Sequence, residues 1–291
     1  MTARHRLVRV PASSANLGPG YDAMAAAMAL HLELEVEETG EFSLDPGGLD
    51  VSTGRDNLIV RAFETLHPAD GIAFRLRSEI PLARGLGSSS AAIVAGLAAA
   101  DHLFELALTR EELLARATEI EGHPDNVAAA IHGGFVVCAA GGEAFAARFD
   151  PPEGLEGIVV IPGEEVSTNL AREAIPTELP LTDAVANVSA AALLVLGLRS
   201  ADLDLVSRGL HDRIHQDRRR DLYPRSMEVV DAAGEIGALG ATISGAGPTV
   251  LVWTTWEEAG GVAAALKDRC EGWAEVKRLP FEPLGVDVPE L

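Results

Sequence analysis

"PLARGLGSSSAA" occupies residues 81–92. Gly85 and Gly87 flank a leucine, Ser88, Ser89 and Ser90 follow, and an alanine-rich stretch begins at Ala91. From Ser88 to Leu106 there is no proline and one glycine, which predicts a helix. Small residues on all its sides predict a buried one. The glycines admit backbone conformations closed to other residues and let a ligand approach closely. The first turn of the helix behind them carries unpaired N–H groups and the positive end of the helix dipole. The stretch reads as an anion cradle that suits phosphate, with hydroxyls able to add hydrogen bonds or a magnesium ligand. Taken alone, it also fits an ordinary helix start, a glycine turn with a serine cap. A dinucleotide fingerprint fits less well, because the third glycine of GxGxxG would fall at Ser90.

The chain around this stretch has 291 residues, 47% of them apolar, enough for one large domain or two ordinary ones. Its formal charge of -21 argues against nucleic acid or an anionic membrane as the main partner, though not against a phosphate in a local pocket. The only lysines are Lys267 and Lys277, and neither follows a glycine, so a Walker A loop is excluded. Cys138 and Cys270 stand far apart without a CxxC partner, against a disulfide framework or a cysteine zinc site. "MTARHRLVRVPASSAN" is basic but lacks the apolar stretch of a signal peptide, and no apolar run of membrane-spanning length is expected. These features lead to the expectation of a cytoplasmic protein.

Strands are expected at 6–13, 31–38, 72–80, 133–140 and 157–162, a strand–turn–strand at 241–253, and a last strand in "AEVKRLP". In 31–38, Leu32, Leu34 and Val36 alternate with Glu33, Glu35 and Glu37, so one face should be wet. Helices are expected at 88–106, 184–198, near 202–213 and 225–236, and in "EEAGGVAAALKDRC". Thr109 and Glu112 form a capping box that starts another. Strands and helices mix without strict alternation, which indicates an α+β fold. "DPPEG" (150–154) is the best domain boundary, giving units 1–152 and 153–291.

Four further constellations carry chemistry. "PASSANLGPGYDA" (11–23) holds Asn16, two glycines and Asp22, a loop that suits an ammonium- or hydroxyl-bearing ligand or simply bonds its own backbone. "EIEGHPDN" (119–126) gathers Glu119, Glu121, His123, Asp125 and Asn126; hard carboxylate oxygens suit magnesium, and no HExxH pattern supports zinc. "STNLAR" (167–172) sets Thr168 and Arg172 four apart, and "HDRIHQDRRRDLYP" (211–224) carries Arg213, Arg218, Arg219 and Arg220. Arginine forks bind carboxylates bidentately, although most arginines in so charged a run should face solvent. "ISGAGPT" (243–249) is a second glycine-serine turn, able to close over a phosphate or to bend a hairpin.

In this order the pieces resemble the GHMP kinases, the family of galacto-, homoserine, mevalonate and phosphomevalonate kinases. Three motifs carry the resemblance along nearly the whole chain: "VPASSANLGPGYDA", "PLARGLGSSSAA" and "TISGAGPTVL". "EGHPDNVAAAIHGG" between them resembles the homoserine kinase form. The run "HQDRRRDLYP" departs mildly from the family pattern.

The resemblance implies a two-domain GHMP kinase fold, with a ribosomal-protein-S5-like N-terminal half and a ferredoxin-like C-terminal half. It implies ATP-dependent phosphorylation of the L-homoserine hydroxyl in threonine biosynthesis, with Mg2+; a mevalonate-type kinase is the alternative. Pro81, Leu82, Ala83, Arg84, Gly85, Leu86, Gly87, Ser88, Ser89, Ser90 and Ala91 would wrap the ATP phosphates, and Asn57 would contact the adenine. Ser89, Glu119 and Thr168 would lie near the metal, with Glu121 a competitor for the place of Glu119. Asn16, Asp22, His123, Asn126, Arg172 and Arg219 would form the substrate pocket, with Arg218 and Arg220 as competitors for Arg219. Asn126, Asp125, Glu119 and Arg219 are the candidate catalytic set, and Asp125 is either a base or not one. Homodimers are common among such enzymes.

Overall fold

The computed structural model describes residues 4–139, 141–142 and 144–289. Its N-terminal half is a sheet built around one long strand. β1 (His5–Ala15) pairs antiparallel with β2 (Met24–Glu38), from His5 opposite Glu37 to Ala15 opposite Ala25, with a register shift between Pro11 and Ala12. β2 also pairs with β4 (Ile72–Ser78) over Leu32–Glu38 and with β5 (Phe135–Cys138) over Met24–Ala26. β3 (Ser43–Asp45) and β6 (Ala146–Phe149) complete the six strands.

Leu32, Leu34 and Val36 are buried while the glutamates between them stay half-exposed, as the alternation predicts. β2 nevertheless begins seven residues earlier than expected. "MAAAMAL" is apolar throughout and mostly buried, so it shows no period of two.

Helices α1 (Leu58–Glu64), α2 (Ser88–Phe104), α3 (Arg110–Glu121) and α4 (Asp125–His132) pack with this sheet, and α2 touches β1, α1, α3 and α4. α2 is buried on nearly every side from Ser90 to Asp101 apart from Ala92, so alanines and one glycine let its neighbours close in. Thr109 and Glu112 form the expected capping box at the start of α3, with bonds of 3.1 and 2.8 Å.

The second sheet is antiparallel, in the order β10 (Ala274–Arg278), β7 (Leu155–Pro162), β9 (Val250–Thr255), β8 (Gly240–Ile243). Ile158, Val160, Val250 and Val252 pack with Met227 of α8 (Pro224–Ala232) and Val262 and Leu266 of α9 (Ala259–Arg269). Their alternates Val159, Leu251 and Trp253 belong to the larger core, where the Trp253 ring lies 6.0 Å from Phe135 and 5.4 Å from Phe281. The C-terminal tail crosses back: Arg9 and Asp287 exchange backbone bonds of 2.8 and 2.9 Å, and Ala29 N donates to Pro280 O. The two halves therefore share one apolar interior and a backbone seam.

In chain order α5 (Thr168–Glu173), α6 (Leu181–Ser200) and α7 (Leu203–Gly209) come between β7 and β8. Against the sequence expectation, α6 is long and apolar enough to cross a membrane by length and composition, with a mean hydropathy of 1.8. It packs along α7, and Asn187 within it donates to Pro19 O at 2.6 Å and accepts from Arg213 N at 2.8 Å.

Candidate active site

α2 starts in the way its sequence demands. Its N-cap is Gly87 at φ +70°, which offers no side-chain cap, so the first amides of the helix keep their donors. A Cβ on Gly87 would stand 2.1 Å from Ser13 Oγ, and one on Gly85 (φ +80°) 2.4 Å from Ser244 O, so neither position admits a side chain. Ser244 Oγ donates to Gly85 O at 2.6 Å, which fastens the "ISGAGPT" turn to the glycine loop. The two glycine motifs, 159 residues apart, are thus one structure.

A cavity of about 540 Å³ opens at this point. Leu82, Ala83, Gly85, Gly87, Ser88, Ser89 and Ser90 line it. Leu86 and Ala91 turn into the core instead, and Pro81 and Arg84 lie outside the lining. Arg84 donates to Pro162 O and lies 3.6 Å from Glu165, tying the loop to the C-terminal half. At one end are Leu49, Val51, Leu58, Ile59 and Leu76, an apolar slot of the kind a purine fills. Asn57 lines that end, but its amide caps α1: Oδ1 accepts from Ile59 N at 2.9 Å and Nδ2 donates to Ser52 O at 2.7 Å.

The two candidate carboxylates of α3 are placed differently. Glu121 lines the cavity, and its carboxylate accepts from Ser89 Oγ at 2.9 Å and Ser90 Oγ at 2.7 Å. Glu119 is exposed on α3 and does not line the cavity. Two residues along a helix point to different faces, so only one of the pair can turn toward α2. Thr168, the first residue of α5, also lines the cavity. Among the described residues no three histidines, cysteines or carboxylates cluster as a metal cage. One carboxylate with nearby hydroxyls fits magnesium, which takes few protein ligands and fills its octahedron with phosphate oxygens and water.

The other end of the cavity is polar. Asn16 (φ +70°) donates to Gly245 O at 2.8 Å and accepts from Asp22 N at 3.0 Å, so it holds both turns. Asp22 accepts both arms of Arg172 at 2.9 Å each, and Arg172 also donates to the Tyr21 hydroxyl at 3.2 Å. That pairing raises the Arg172 pKa despite burial. Arg219, 2% exposed, reaches the cavity. Arg218 bonds Arg213 O, Ile214 O and Asp183, and Arg220 pairs with Asp217 and Asp231, so both point elsewhere.

His123, Asp125 and Asn126 line the same wall. Asp125 is buried at the start of α4 and accepts from His123 Nδ1 and from Asn126 N, both at 2.7 Å. Burial works against charge on His123, but Asp125 and Glu121 outweigh it and raise its pKa. Asn126 Oδ1 accepts from Ser13 Oγ at 2.8 Å. α4 has no side-chain cap: Pro124 is its N-cap, and the Asp125 carboxylate serves His123.

Sequence reasoning did not single out Tyr21, Ser13 or His215. Tyr21 lies beside Asp22 in the flagged loop, and its ring faces the Arg172 and Arg219 guanidiniums at 5.8 and 5.5 Å. Ser13 sits in the first motif and His215 in the arginine-rich run, but their roles are contacts across 113 and 197 residues that no local pattern encodes.

Known proteins resemble this chain in sequence and in fold. The GHMP kinases N terminal domain matches residues 57–134, and the GHMP kinases C terminal family matches residues 194–272. A homoserine kinase of Thermus thermophilus is 43% identical over 262 residues, 88% of this chain and 89% of that protein. The homoserine kinase of Moorella thermoacetica is 40% identical, covering 85% and 86%. Among solved structures, the homoserine kinase of Cytophaga hutchinsonii superposes with a TM-score of 0.89 at 29% identity, over 99% of this chain and 98% of that one. Mevalonate kinase of L. major, at 18% identity and a TM-score of 0.70, covering 98% of this chain and 97% of that one, shares the fold alone. With both of its halves matched in order and relatives at 40% identity or more along most of their length, the chain belongs to the GHMP kinase family.

Proposed function

We propose that this kinase transfers the γ-phosphoryl group of ATP to the side-chain hydroxyl of L-homoserine, giving O-phospho-L-homoserine. One observation carries the reading. A single cavity joins the uncapped N-terminus of α2 to Asp22, Arg172 and Arg219, an anion cradle beside a carboxylate and two cations. A triphosphate suits the first part and an amino-acid zwitterion the second. The names of the relatives at 40–43% identity support the same substrate.

Phosphoryl transfer asks the protein mainly for positioning and charge stabilisation. The amides of Ser88, Ser89 and Ser90 and the dipole of α2 hold phosphate oxygens, and the 49–59 slot takes the base. Glu121 is assigned as the magnesium carboxylate, with Ser89 and Thr168 beside it. When bound, magnesium neutralises charge on the phosphates. Asp22 takes the substrate ammonium, and Arg172 and Arg219 its carboxylate. Asn126, braced by Ser13, orients the hydroxyl. His123 Nδ1 and Asn126 N both bond Asp125 Oδ1, which fixes the carboxylate against the wall of the site. The mechanism is written without a committed base, positioning and charge stabilisation carrying the transfer. The proposed division into 1–152 and 153–291 falls between β6 and β7.

The test is an assay of ADP release across homoserine, serine, threonine, mevalonate and galactose. Homoserine should give the highest kcat/KM. A clear preference for mevalonate or galactose would overturn the substrate and leave the kinase standing.

A further inference from the structure

Arg219 has no carboxylate partner among the described residues. Its three acceptors are Ala171 O for Nε at 2.7 Å, and Gly245 O at 3.1 Å and His215 Nδ1 at 3.2 Å for Nη1. Three of the five guanidinium protons are thereby placed. Nη2 bonds no carboxylate or backbone carbonyl among the described residues, the buried Tyr223 hydroxyl being close enough to feel the guanidinium, and it is the edge left to meet a ligand. His215 is the only side chain among these acceptors.

The state of that ring follows from its other contact. His215 Nε2 lies 2.9 Å from Gly18 O, which can only accept, so Nε2 carries the proton and the Nδ1 lone pair faces Arg219. The ring is fully buried and cannot rotate freely. Asp212 fixes its backbone, accepting from Ile214 N, His215 N and Gln216 N at 2.9, 2.8 and 2.7 Å. A protonated imidazole would set N–H against N–H. A carboxylate in its place would cancel the guanidinium charge. A neutral acceptor gives the arginine a direction and leaves its charge available.

We propose that His215 is a positioning residue for substrate selection: its Nδ1 turns Arg219 so that the Nη2 edge, with its charge intact, meets the carboxylate of the amino-acid substrate. This rests on the homoserine reading above. His215 touches no substrate; it acts through Arg219 and, by way of Gly18, through the loop that carries Asp22.

The experiment compares L-homoserine with L-homoserinol, in which CH2OH replaces the carboxylate, in wild type and the variants His215→Phe and His215→Asn. The Phe variant should raise the KM for homoserine about tenfold or more, while the KM values for homoserinol and ATP move less than about twofold. His215→Asn puts Oδ1 near the place of Nδ1 and should return the homoserine KM to within about threefold of wild type. If the Phe variant fails to fold, His215→Gln, able to reach Gly18 O but offering no acceptor at the Nδ1 position, must show the same selective loss. An equal loss on both substrates, or an unchanged homoserine KM, overturns the role of His215. Wild-type inactivity on homoserine overturns the substrate reading, and this inference with it.

Discussion

Arg172 grips Asp22 through both arms of its guanidinium, each at 2.9 Å, across 150 residues of sequence. The two charges neutralise each other while no ligand is present. A zwitterion brings an ammonium for one member and a carboxylate for the other, so the substrate exchanges one ion pair for two and leaves no charge unpaired.

Asp22→Asn should therefore act on binding rather than on folding. The homoserine KM is expected to rise about tenfold to a hundredfold, with the ATP KM nearly unchanged, because a charged hydrogen bond is worth roughly 1.5–3 kcal/mol. Both side chains are about a third exposed or more (38% and 34%), so solvent screening leaves the pair less than about 1 kcal/mol of stability. Steady-state kinetics and a melting curve on the same preparation separate the two effects.

The carboxylates on α3 give a paired test. Glu121→Gln removes the charge and one of the two oxygens that accept from Ser89 and Ser90, and should lower kcat about a hundredfold, with a raised magnesium requirement. Glu119→Gln, at an exposed position, should stay within about twofold of wild type. A magnesium titration of both variants decides which carboxylate serves the metal; loss in the Glu119 variant with a sound Glu121 variant would reverse the assignment.

The contrast between those two glutamates marks where sequence reading stops. The glycine loop, α2 and the capping box on α3 were legible because their signals are local: glycine freedom, alanine content, a four-residue cap. Which glutamate turns toward α2, and which of Arg218, Arg219 and Arg220 enters the cavity, depends on how helices pack across the chain. The resemblance left Arg218 and Arg220 as competitors for Arg219; of the three, Arg219 is buried and lines the cavity, while its neighbours bond Asp183 and Asp231. The first half of β2 was missed because a strand covered on both faces has no alternation to read. α5 was missed because a six-residue helix holds too few positions to display a period.

Gly87→Ala probes the cradle. The added Cβ would meet Ser13 Oγ at 2.1 Å in a backbone region that L-residues rarely adopt. The clash and the strain together should cost about 1–3 kcal/mol of stability and shift the start of α2, so ATP affinity falls more than homoserine affinity. Calorimetric titration with a non-hydrolysable ATP analogue checks this, and undiminished nucleotide affinity would contradict the placement of the phosphates.

Asp125→Asn distinguishes the base-free mechanism from its rival. A committed general base contributes about 10²–10⁴-fold. Here His123 Nδ1 and Asn126 N both bond Oδ1, and an amide oxygen in that place can accept from both. The expected loss in kcat is about tenfold or less. A loss of a thousandfold with normal ATP binding would install Asp125 as the base.

His215 predicts the sign of one component of pH-dependent stability. Burial, with help from Arg219, depresses its pKa below the ordinary 6.5, while Asp212, Asp22 and the bond to Gly18 O act the other way. The unfolded chain then binds a proton more readily than the folded one, so this contribution is complete above about pH 6.5 and is lost as pH falls. Each pH unit below that value can remove up to about 1.4 kcal/mol. Urea melts of wild type and His215→Asn at pH 7.5 and pH 5.5 isolate this contribution, since the other titrating groups are common to both proteins. Wild type should lose more stability than the variant over that interval. Equal losses would mean that the ring already accepts a second proton in the folded state, which the Nε2–H contact to Gly18 O and the guanidinium at Nδ1 do not permit.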